Sequence, residues 1–500
     1  MSGQSSSSPG RLTTFVSFPS PYTQSLLVSA LVSTIPNLAL SLAPYPEDDP
    51  PSLQWADYDL LSFDKPHANP SRYLISSYIY RKALIRKHQL HMTIAEYLAK
   101  IRHRGQHSVL EEGGVPKGWI VDIQFTDELD ELLVDDLYEL AEQLRENEEV
   151  SEDAKRWYIL KPGFADRAQG IRMFSTEDEL RAIFDEFEPP SDDEDEEESA
   201  QDSSEEDSPN RLASRIDELG VEDDDEGGTG VMTSQLRHFV IQEYMPRPML
   251  FDIADASSGH KFHLRAYVLI TGAYTVHVAH TMLALFSGSP YVPPRSSEDL
   301  DLLPHLTNTC LQTDAYGAPT PPAELVKTFW ELEGLEALKN VGENNEVVGK
   351  IDKAWLERTF AKVGEVVAES VRAGAECGSF GLQFLPNAFE IFGVDLLLSF
   401  PESTSTSVSS RVPEPIVTLL EWNASPDFHQ SGDRLRKELR EMFKGAIRIA
   451  VLPFFGIRSD DEDVEIPGEK EAHEVEWEVG DERWGWRMVG KGEIRNFGEN

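Results

Sequence analysis

The chain has 500 residues, and 45 Lys and Arg residues against 89 Asp and Glu residues give it a formal net charge of −44. This acidity argues against general nucleic-acid binding, which depends on cationic contacts to phosphate, so we expect no direct nucleic-acid partner. Hydrophobic residues make up 40% of the sequence, enough for sizeable cores, and this argues against a chain that is disordered throughout. The two cysteines, Cys310 and Cys377, cannot form a disulfide framework, which predicts a reducing, cytoplasmic compartment.

The chain begins with a Ser-rich leader, MSGQSSSSPG, and continues into a β-branched and aromatic run, TTFVSF. The leader predicts disorder over residues 1–11. The run predicts a strand, and the Pro-punctuated segment after it predicts a helix. Together they predict a small N-terminal α/β domain over residues 12–115.

The segment from Gln24 to Pro44 contains no charged residue, so it could be mistaken for a membrane element. Its serines and the central Pro36 make it less uniformly apolar than a spanning helix. It also lacks the basic start of a secretory signal. We therefore predict a buried helix beside the first strand and no membrane contact.

A locally basic segment follows, from Ser71 to His107, in which eight Lys and Arg residues accompany a single acid, Glu96. We predict that it is helical. One interpretation is an ordinary solvated helix face; the other is a surface that captures an acidic protein tail through salt-sensitive attraction.

The middle of the chain combines a buried-strand pattern with an acidic run. WYILKPG predicts a strand, and an acid-rich helix follows it, which together predict a central subdomain over residues 116–188. Residues 185–226 then hold 21 Asp or Glu against two Arg, predicting an acidic disordered insertion at 189–229. The insertion could be a solvated tether. Alternatively, it could occupy the basic segment in place of an acidic protein tail and so inhibit the protein.

The last part of the chain alternates strand and helix patterns. KFHLRAYVLITGAYTVHVAH predicts paired strands, residues 353–372 a helix, AFEIFGVDLLLS and PIVTLLEWN two further strands, and residues 435–451 a last helix. We predict a C-terminal subdomain over residues 230–457, and an acidic tail over residues 458–500. The whole predicts a mixed α/β fold.

Polar residues on the two last predicted strands carry the clearest chemistry. Asp395 lies inside one strand pattern, and Glu421 and Asn423 lie two residues apart on the next. Residues i and i+2 of a strand share a face. Two carboxylates and an amide oxygen are suitable ligands for Mg²⁺, which takes its remaining ligands from phosphate and water. The alternative is that Asp395 ends a strand and Glu421 faces solvent.

Two further patterns could bind phosphate. The first is KPGFADRAQGI, where Lys161 ends a strand and a small-residue loop follows, although it is not a Walker A loop. The second is the strand pattern in which Lys261, His263 and Arg265 share a face, so that two cations could flank a triphosphate. Each pattern could also have no role in binding a ligand: the first could be a common turn, and the second could consist of ordinary surface cations.

Taken in order, the motifs resemble those of the tubulin–tyrosine ligase-like family, a branch of the ATP-grasp enzymes. They are YIYRKALIRK, KPGFADRAQGI, VIQEYMPRP, KFHLRAYVL, HLTNTCLQ, FEIFGVDLLL and LLEWNASP. The resemblance covers about residues 13–455 and implies an ATP-grasp fold that uses ATP and Mg²⁺.

The resemblance also implies roles for individual residues. Lys161 and Lys261 match the family's phosphate lysines, Arg167 and Gly170 its flexible loop, and Lys82 and Arg265 its catalytic cations. The residues that match the adenine hinge are Gln242, Glu243, Tyr244 and Met245. Those in the signature HLTN are His305, Thr307 and Asn308, and those that match the magnesium ligands are Asp395, Glu421 and Asn423.

The family's members phosphorylate a peptide carboxylate with ATP and then let the amine of an amino acid attack the acyl phosphate. The resemblance therefore implies a ligase that joins an amino acid, tyrosine in the first place, to the acidic C-terminal tail of a protein, tubulin in the first place. Alternatives are the addition of glutamate or glycine, another protein acceptor, or a non-catalytic ATP-binding scaffold of cytoplasmic ribonucleoprotein bodies.

Four positions depart from the family pattern. His263 replaces an Asp, Glu243 a Lys or Arg, Leu285 an Arg, and Ser289 a Glu. The metal ligands and phosphate lysines are kept. The nucleotide side therefore matches the family, and the acceptor side is altered.

Overall fold

In a computed structural model, the protein is a mixed α/β structure with three sheets. The structure describes residues 11–46, 48–163, 170–187, 238–245, 247–253, 258–295, 300–308, 325–342, 344–378, 381–401, 411–457 and 476–492. The expected leader up to residue 10, the expected insertion at 189–229 and Arg167 lie outside the described residues.

A four-stranded parallel sheet with the order β2-β1-β3-β4 forms the N-terminal part. Its strands are β1 (Leu12–Ser17), β2 (Leu38–Ser41), β3 (Leu53–Ala56) and β4 (Leu74–Ile75), and the helices of this part are α1 (Pro21–Thr34), α2 (Asp64–Ala68), α3 (Lys82–Ile85) and α4 (Lys87–His103).

Helix α1 explains the uncharged segment near the N-terminus. Ser20 caps the helix by accepting from the amide of Thr23, and Pro21 occupies the first turn, where its missing N–H costs nothing. The side chains of Leu27 and Leu31 are completely buried in an apolar core. In the described part of the chain, no helix is long and apolar enough to cross a membrane.

A four-stranded antiparallel sheet with the order β5-β8-β6-β7 forms the central part. Its strands are β5 (Gly118–Asp122), β6 (Tyr158–Pro162), β7 (Arg172–Phe174) and β8 (His238–Glu243), and its helices are α5 (Glu128–Val134), α6 (Tyr138–Glu148) and α7 (Glu177–Phe187). The apolar faces of the helices and one face of this sheet share a core, so the other face is left to line a cleft.

An eleven-stranded sheet and one long helix form the C-terminal part. The strands are β9 (Leu250–Phe251), β10 (His260–Thr271), β11 (Thr275–Ala279), β12 (Leu283–Phe286), β13 (Val326–Thr328), β14 (Glu336–Val341), β15 (Asn344–Lys350), β16 (Phe389–Ser399), β17 (Ile416–Asn423), β18 (Glu482–Arg483) and β19 (Trp486–Lys491). The helices are α8 (Lys353–Cys377), α9 (Arg436–Ala446), which continues as a π-helical turn (Ile447–Val451), and α10 (Leu452–Phe454).

Strand β10 organises this sheet because it pairs with β9, β11, β12 and β16, all antiparallel. In its register with β16, Arg265 lies opposite Asp395. In the register of β16 with β17, Asp395 lies opposite Glu421, and the register shifts directly after this pair. The pairing of three strands thus brings two carboxylates and one guanidinium together.

Several predicted elements are confirmed: the first strand and helix, the strand WYILKPG, the acid-rich helix that follows it, the hairpin around Gly272, the long helix from Lys353 and the two polar-bearing strands. The mixed α/β class is confirmed as well. The basic segment is helical only at Lys82–Ile85 and Lys87–His103. Residues 74–75 instead form β4, and Arg86 is extended (φ −96°, ψ 117°) and separates α3 from α4.

The expected acidic tail is only partly a tail. Strand β19 pairs with β11, and Trp486 is completely buried, where its indole N–H donates to the Met442 carbonyl oxygen over 3.0 Å. The prediction of a separate tail over 458–500 is therefore wrong for residues 476–492. The excess of acids concealed the alternating apolar residues Trp486 and Met488, both of which face the core.

Replacing Trp486 with Ala tests this strand. The variant should lose about 3–5 kcal/mol of unfolding free energy, because truncating a buried Trp leaves a cavity. Chemical denaturation monitored by circular dichroism measures the loss. The matched control is Val479→Ala, since Val479 in the same segment is 58% exposed and should change stability little. Equal stabilities for the two variants would contradict the structural role of β19.

Candidate nucleotide-binding site

A cleft lies between the free face of the central sheet and the C-terminal sheet, with about 1030 Å³ of space that is partly open to solvent. That size suits a small-molecule ligand. The apolar side chains of Ile159, Ile171, Leu306 and Leu397 line part of the cleft. These side chains could cover the flat faces of a planar ring, while charged groups gather elsewhere in the same cleft.

Two lysines enter the cleft from neighbouring strands. Lys161 of β6 donates to the Gln242 side-chain oxygen over 2.8 Å. Lys261 of β10 is buried and donates to the Tyr244 hydroxyl over 2.9 Å and to the His305 carbonyl oxygen over 2.8 Å. Neither lysine has a carboxylate partner within ion-pair distance among the described residues, so both can neutralise an incoming anion.

The environment of the lysines weakens their hold on protons. Burial lowers the pKa of Lys161 to about 8, although Glu421 and Asp395 partly oppose this. Burial and the charge of Lys161 lower the pKa of Lys261 to about 7. A polyphosphate entering the cleft would favour the protonated forms of both groups.

The residues expected to hold adenine follow β8. The amide of Tyr244 donates to the Trp157 carbonyl oxygen and that of Glu243 to the Lys117 carbonyl oxygen, each over 2.8 Å. These bonds fix the chain at the strand end. The Tyr244 hydroxyl lies 2.9 Å from His305 Nδ1, which connects this segment to the HLTN segment across the cleft.

The acidic end of the cleft is built on a buried ion pair. Both oxygens of Asp395 accept from Arg265, through Nε and, over 3.0 Å, through Nη2. The Asn423 amide nitrogen lies 3.3 Å from Asp395 Oδ2 and 3.5 Å from Glu421 Oε1. Lys87 of α4 contacts the other oxygen of Glu421, Oε2, over 3.3 Å. The three predicted metal ligands therefore converge.

Burial and neighbouring charges have opposite effects on the pKa of Glu421. Burial by itself would raise the pKa of Glu421, but the charges of Lys87 and Lys161, with that of Arg265 in addition, lower it to about 2. Glu421 is therefore ionised at neutral pH, when it carries the negative charge that a divalent cation requires.

These side chains fit a magnesium ion that arrives with a nucleotide. Within the described residues, no three His, Cys, Asp or Glu side chains are grouped so as to hold a metal by themselves. Mg²⁺, however, is commonly bound by one or two carboxylates together with substrate phosphates and water. Asp395, Glu421 and the Asn423 amide oxygen provide this donor set, with the amide turned to present oxygen instead of nitrogen.

His263 lies beside the acidic end. Its Nδ1 is 2.5 Å from the Thr307 hydroxyl, and its Nε2 is 3.7 Å from Asp395 Oδ1. Leu285 lies opposite His263 in the β10–β12 register but is buried in an apolar core. At position 285, where the family pattern has an arginine, this chain therefore places a core side chain.

The structure brings most of the predicted site residues together. Those that line the cleft are Lys161, Gln242, Glu243, Tyr244, Met245, Lys261, Asn308, Asp395, Glu421 and Asn423. Arg265 supports the cleft from behind Asp395 without lining it. Gly170 has φ +66°, and a Cβ there would lie 2.8 Å from Pro162 Cγ, so glycine is required to close the turn near β6.

Lys82 does not reach the cleft. It is exposed on the four-residue helix α3, whereas the neighbouring Arg81 turns inward and contacts buried Glu390 over 3.0 Å. Among the described cations of the basic segment, Lys87 at the start of α4 is the one that lines the cleft. Sequence reasoning included Lys87 only in a general basic segment, and the extended residue that separates α3 from α4 was not predictable from the charge pattern.

Comparison with known proteins identifies the family and the fold. The model of the tubulin-tyrosine ligase family matches residues 87–457, about three quarters of the chain. The chain belongs to this family. A crystal structure of the C-terminal domain of K. lactis Pby1, described as an ATP-grasp enzyme interacting with the mRNA decapping enzyme Dcp2, superposes with a TM-score of 0.57 at 28% identity, covering 90% of this chain and 96% of that one. The fold is therefore the ATP-grasp fold.

Two fungal relatives match most of the chain. A Schizosaccharomyces pombe protein named "Probable tubulin–tyrosine ligase" is 33% identical over 445 residues, 88% of this chain and 92% of its own length. The similarly named PBY1 of Saccharomyces cerevisiae is 34% identical over 82% of this chain, which spans about half (47%) of that longer protein. The human tubulin polyglutamylase TTLL7 is 34% identical over 73 residues, 14% of this chain.

The lowered lysine pKa values predict how nucleotide binding depends on pH. Above pH 8 both lysines lose their protons in the free protein, so each lysine must take up a proton again when ATP binds. The affinity for ATP should therefore fall by about tenfold or more between pH 7 and pH 9. Titration calorimetry in buffers of different ionisation enthalpy should also show proton uptake. Lys261→Met should flatten the profile, and an affinity for wild type that rises with pH would contradict the assignment.

The placement of the two N-terminal lysines can be tested by a matched pair of variants. Lys87→Met should weaken binding of ATP with Mg²⁺ by about tenfold, because it removes a cation from the cleft. Lys82→Met should change binding little because Lys82 is exposed. Fluorescence titration with a labelled ATP analogue measures both. A larger effect at Lys82 would support the role that the family resemblance implied for it.

Proposed function

We propose that this protein is an ATP-dependent carboxylate–amine ligase that joins an amino acid to the C-terminal carboxylate of a protein. The observation that carries the proposal is the arrangement of two lysines opposite three oxygen ligands in one cleft. Among the described residues, Lys161 and Lys261 have no carboxylate partner within ion-pair distance, and they line the same cleft as Asp395, Glu421 and Asn423. This arrangement suits a nucleoside triphosphate, whose phosphates and accompanying Mg²⁺ would lie between the two sets of side chains.

The cleft supports the first chemical step by binding and charge neutralisation. Lys161 and Lys261 would hold the phosphates of ATP, while Arg265 orients Asp395. When bound, Mg²⁺ supplies charge neutralisation at the transferring phosphoryl group. The acceptor carboxylate oxygen attacks the γ-phosphorus, the bond to the β–γ bridging oxygen breaks, and ADP and an acyl phosphate result.

The second step forms the amide. The amine of the incoming amino acid attacks the acyl carbon, phosphate leaves, and the amine loses one proton. Closure of the apolar walls around the cleft would exclude water, which otherwise hydrolyses the acyl phosphate. Splitting the reaction in this way couples an unfavourable amide synthesis to the cleavage of ATP.

Tyrosine and tubulin are the first pair of substrates to test, since two relatives are named probable tubulin–tyrosine ligases. With these substrates, the protein would act in the cytoplasm and on microtubules. Glutamate is the second amino acid to test because a short segment matches a tubulin polyglutamylase. Leu285 is a buried core residue where the family pattern has an arginine, so the cleft lacks that cation, which supports an acceptor different from tubulin.

A second candidate function is a non-catalytic ATP-binding scaffold in cytoplasmic ribonucleoprotein bodies. The supporting observation is that the structurally similar K. lactis protein is described as interacting with Dcp2. On this alternative, the cleft would bind ATP, and a purified decapping enzyme would bind directly, but no acceptor would stimulate ADP release.

The deciding experiment measures ADP release with Mg²⁺ across a panel of amino acids and acceptor peptides. Wild type should release ADP over many turnovers only when both substrates are present, and Glu421→Gln should lower the rate by about a hundredfold or more, because it removes a charge from the cation site. The matched control is Glu365→Gln on the exposed side of α8, which should behave as wild type. ATP binding without ADP release for every pair would favour the scaffold.

A further inference from the structure

His263 lines the nucleotide cleft but has no role in the steps described above. It lies on β10 between Lys261 and Arg265, on the face of the strand that these two residues share, and only 5% of its side chain is exposed. Its Nε2 atom is buried and has no hydrogen-bond partner among the described residues. Because a buried polar atom without a partner is costly, this nitrogen points to a ligand that enters the cleft.

The other ring nitrogen, Nδ1, fixes the orientation of the imidazole through its contact with the Thr307 hydroxyl. When Nδ1 carries the proton and donates it to this oxygen, Nε2 keeps its lone pair. Histidines that bind metals commonly have this arrangement, in which the second nitrogen donates to an oxygen outside the metal site. Burial also lowers the pKa of His263, although Asp395 partly opposes this, and the neutral ring is the form that binds a metal.

The nearest charged oxygen to Nε2 belongs to one of the three oxygen ligands. Nε2 lies 3.7 Å from Asp395 Oδ1, which is too far for a hydrogen bond. Two donors that each bind one ion at about 2.1 Å lie about 3–3.5 Å apart, depending on the coordination geometry. The observed separation is close to this value. A small movement of either side chain would therefore let the two atoms share a cation.

The neighbouring strand β12 presents no polar side chain to the imidazole. Leu285 lies opposite His263 in the register of β10 and β12, and it is buried in an apolar core. The two positions at which the family pattern has an aspartate and an arginine thus face each other here as a histidine and a leucine. No cation at position 285 would repel a metal ion beside His263 or contact Nε2 in its place.

The replacement of a carboxylate by an imidazole changes which cation the site favours. Mg²⁺ prefers oxygen ligands and retains several waters, so an aspartate at position 263 would suit it. Imidazole instead suits ions of the transition series. Mn²⁺ accepts the octahedral oxygen environment that Mg²⁺ requires and, as a transition-metal ion, also accepts a nitrogen ligand. The mixed set of one imidazole and two carboxylates therefore favours Mn²⁺ over Mg²⁺.

We propose that Nε2 of His263 is a ligand of the cation that accompanies the nucleotide, together with Asp395, Glu421 and phosphate oxygens, and that the site consequently prefers a divalent transition-metal ion such as Mn²⁺ over Mg²⁺. The nucleotide completes the set, since no three His, Cys, Asp or Glu side chains in the described part of the chain hold a metal by themselves. The inference rests on the proposed function only for the presence of a nucleotide, because cation binding is measured without turnover.

Pulsed electron paramagnetic resonance of bound Mn²⁺ tests for the nitrogen ligand directly. The full-length protein is loaded with Mn²⁺ and the β,γ-methylene analogue of ATP, which is not hydrolysed and has no nitrogen next to its phosphates. The spectrum should show the modulation of a directly bound ¹⁴N nucleus. This modulation should change to that of ¹⁵N when the protein is produced with ¹⁵N-histidine, and it should disappear in His263→Asn.

Competition between Mn²⁺ and Mg²⁺ in the presence of the same analogue measures the preference. His263→Asp and His263→Asn both replace the imidazole with a side chain that offers oxygen, and each should lower the preference for Mn²⁺ by about tenfold. Two variants are used because the buried carboxylate of the first could impair folding, which circular dichroism would detect. The matched control is His67→Gln, since His67 is exposed on α2 and does not line the cleft, and its preference should equal that of wild type.

Three results would overturn the inference: no ¹⁴N modulation in wild type, modulation that persists in His263→Asn, or an unchanged preference for Mn²⁺ in a folded His263 variant. A loss of affinity for the analogue that is the same with and without the cation would also overturn it, because Nε2 would then contact the nucleotide itself. The release of ADP is judged separately. Nitrogen modulation without ADP release for any substrate pair would support His263 as a ligand and contradict the ligase function.

Discussion

The buried ion pair between Arg265 and Asp395 is the constraint on which the site depends. The two residues face each other in the register of β10 and β16, and each is less than a tenth exposed. A buried carboxylate without a partner would be strongly destabilising or would lose its charge. Arg265 supplies this partner inside the sheet and fixes the orientation of Asp395, whose Oδ2 adjoins Asn423.

From Asp395, polar contacts extend outward to the N-terminal part of the chain. Asn423 adjoins both Asp395 and Glu421, and Glu421 contacts Lys87 of α4. The start of this helix region is also held from β16, because Glu390 accepts from the amide of Tyr78 over 3.0 Å. One strand thus positions the acidic end of the cleft and anchors the segment that leads to α4, the helix that carries Lys87.

The acidity of the chain and the charge of the site are separate matters. The net charge of −44 is a property of the whole sequence, whereas the cleft gathers three lysines, Lys87, Lys161 and Lys261, from three different parts of the fold. Glu421 contacts Lys87 and, with Asp395, partly opposes the effect of burial on the pKa of Lys161, whereas the pKa of Lys261 is lowered by burial and by Lys161. The result is a site that is prepared for a polyanion within a strongly acidic protein.

The motifs of the sequence were sufficient to predict the mixed α/β class, the family and the group of residues from Lys161 to Asn423 that line the cleft. Short strands with polar residues at fixed spacings carry this information, because strand alternation decides which side chains share a face. The role of Lys82 and the separate acidic tail could not be judged in this way. Both depend on packing between segments distant in the sequence, as for Arg81 with Glu390 and β19 with β11.

The sequence by itself determined which chemical groups were available: two phosphate lysines, three oxygen ligands and an arginine two strand positions from an imidazole. Only the tertiary structure decided how they are used. Strand register placed Arg265 on Asp395, and an extended Arg86 directed Lys87 instead of Lys82 into the cleft, where Lys87 contacts Glu421 of a distant strand. Local patterns fix the direction of side chains, but charge pairing is settled by distances that exist only once the chain has folded.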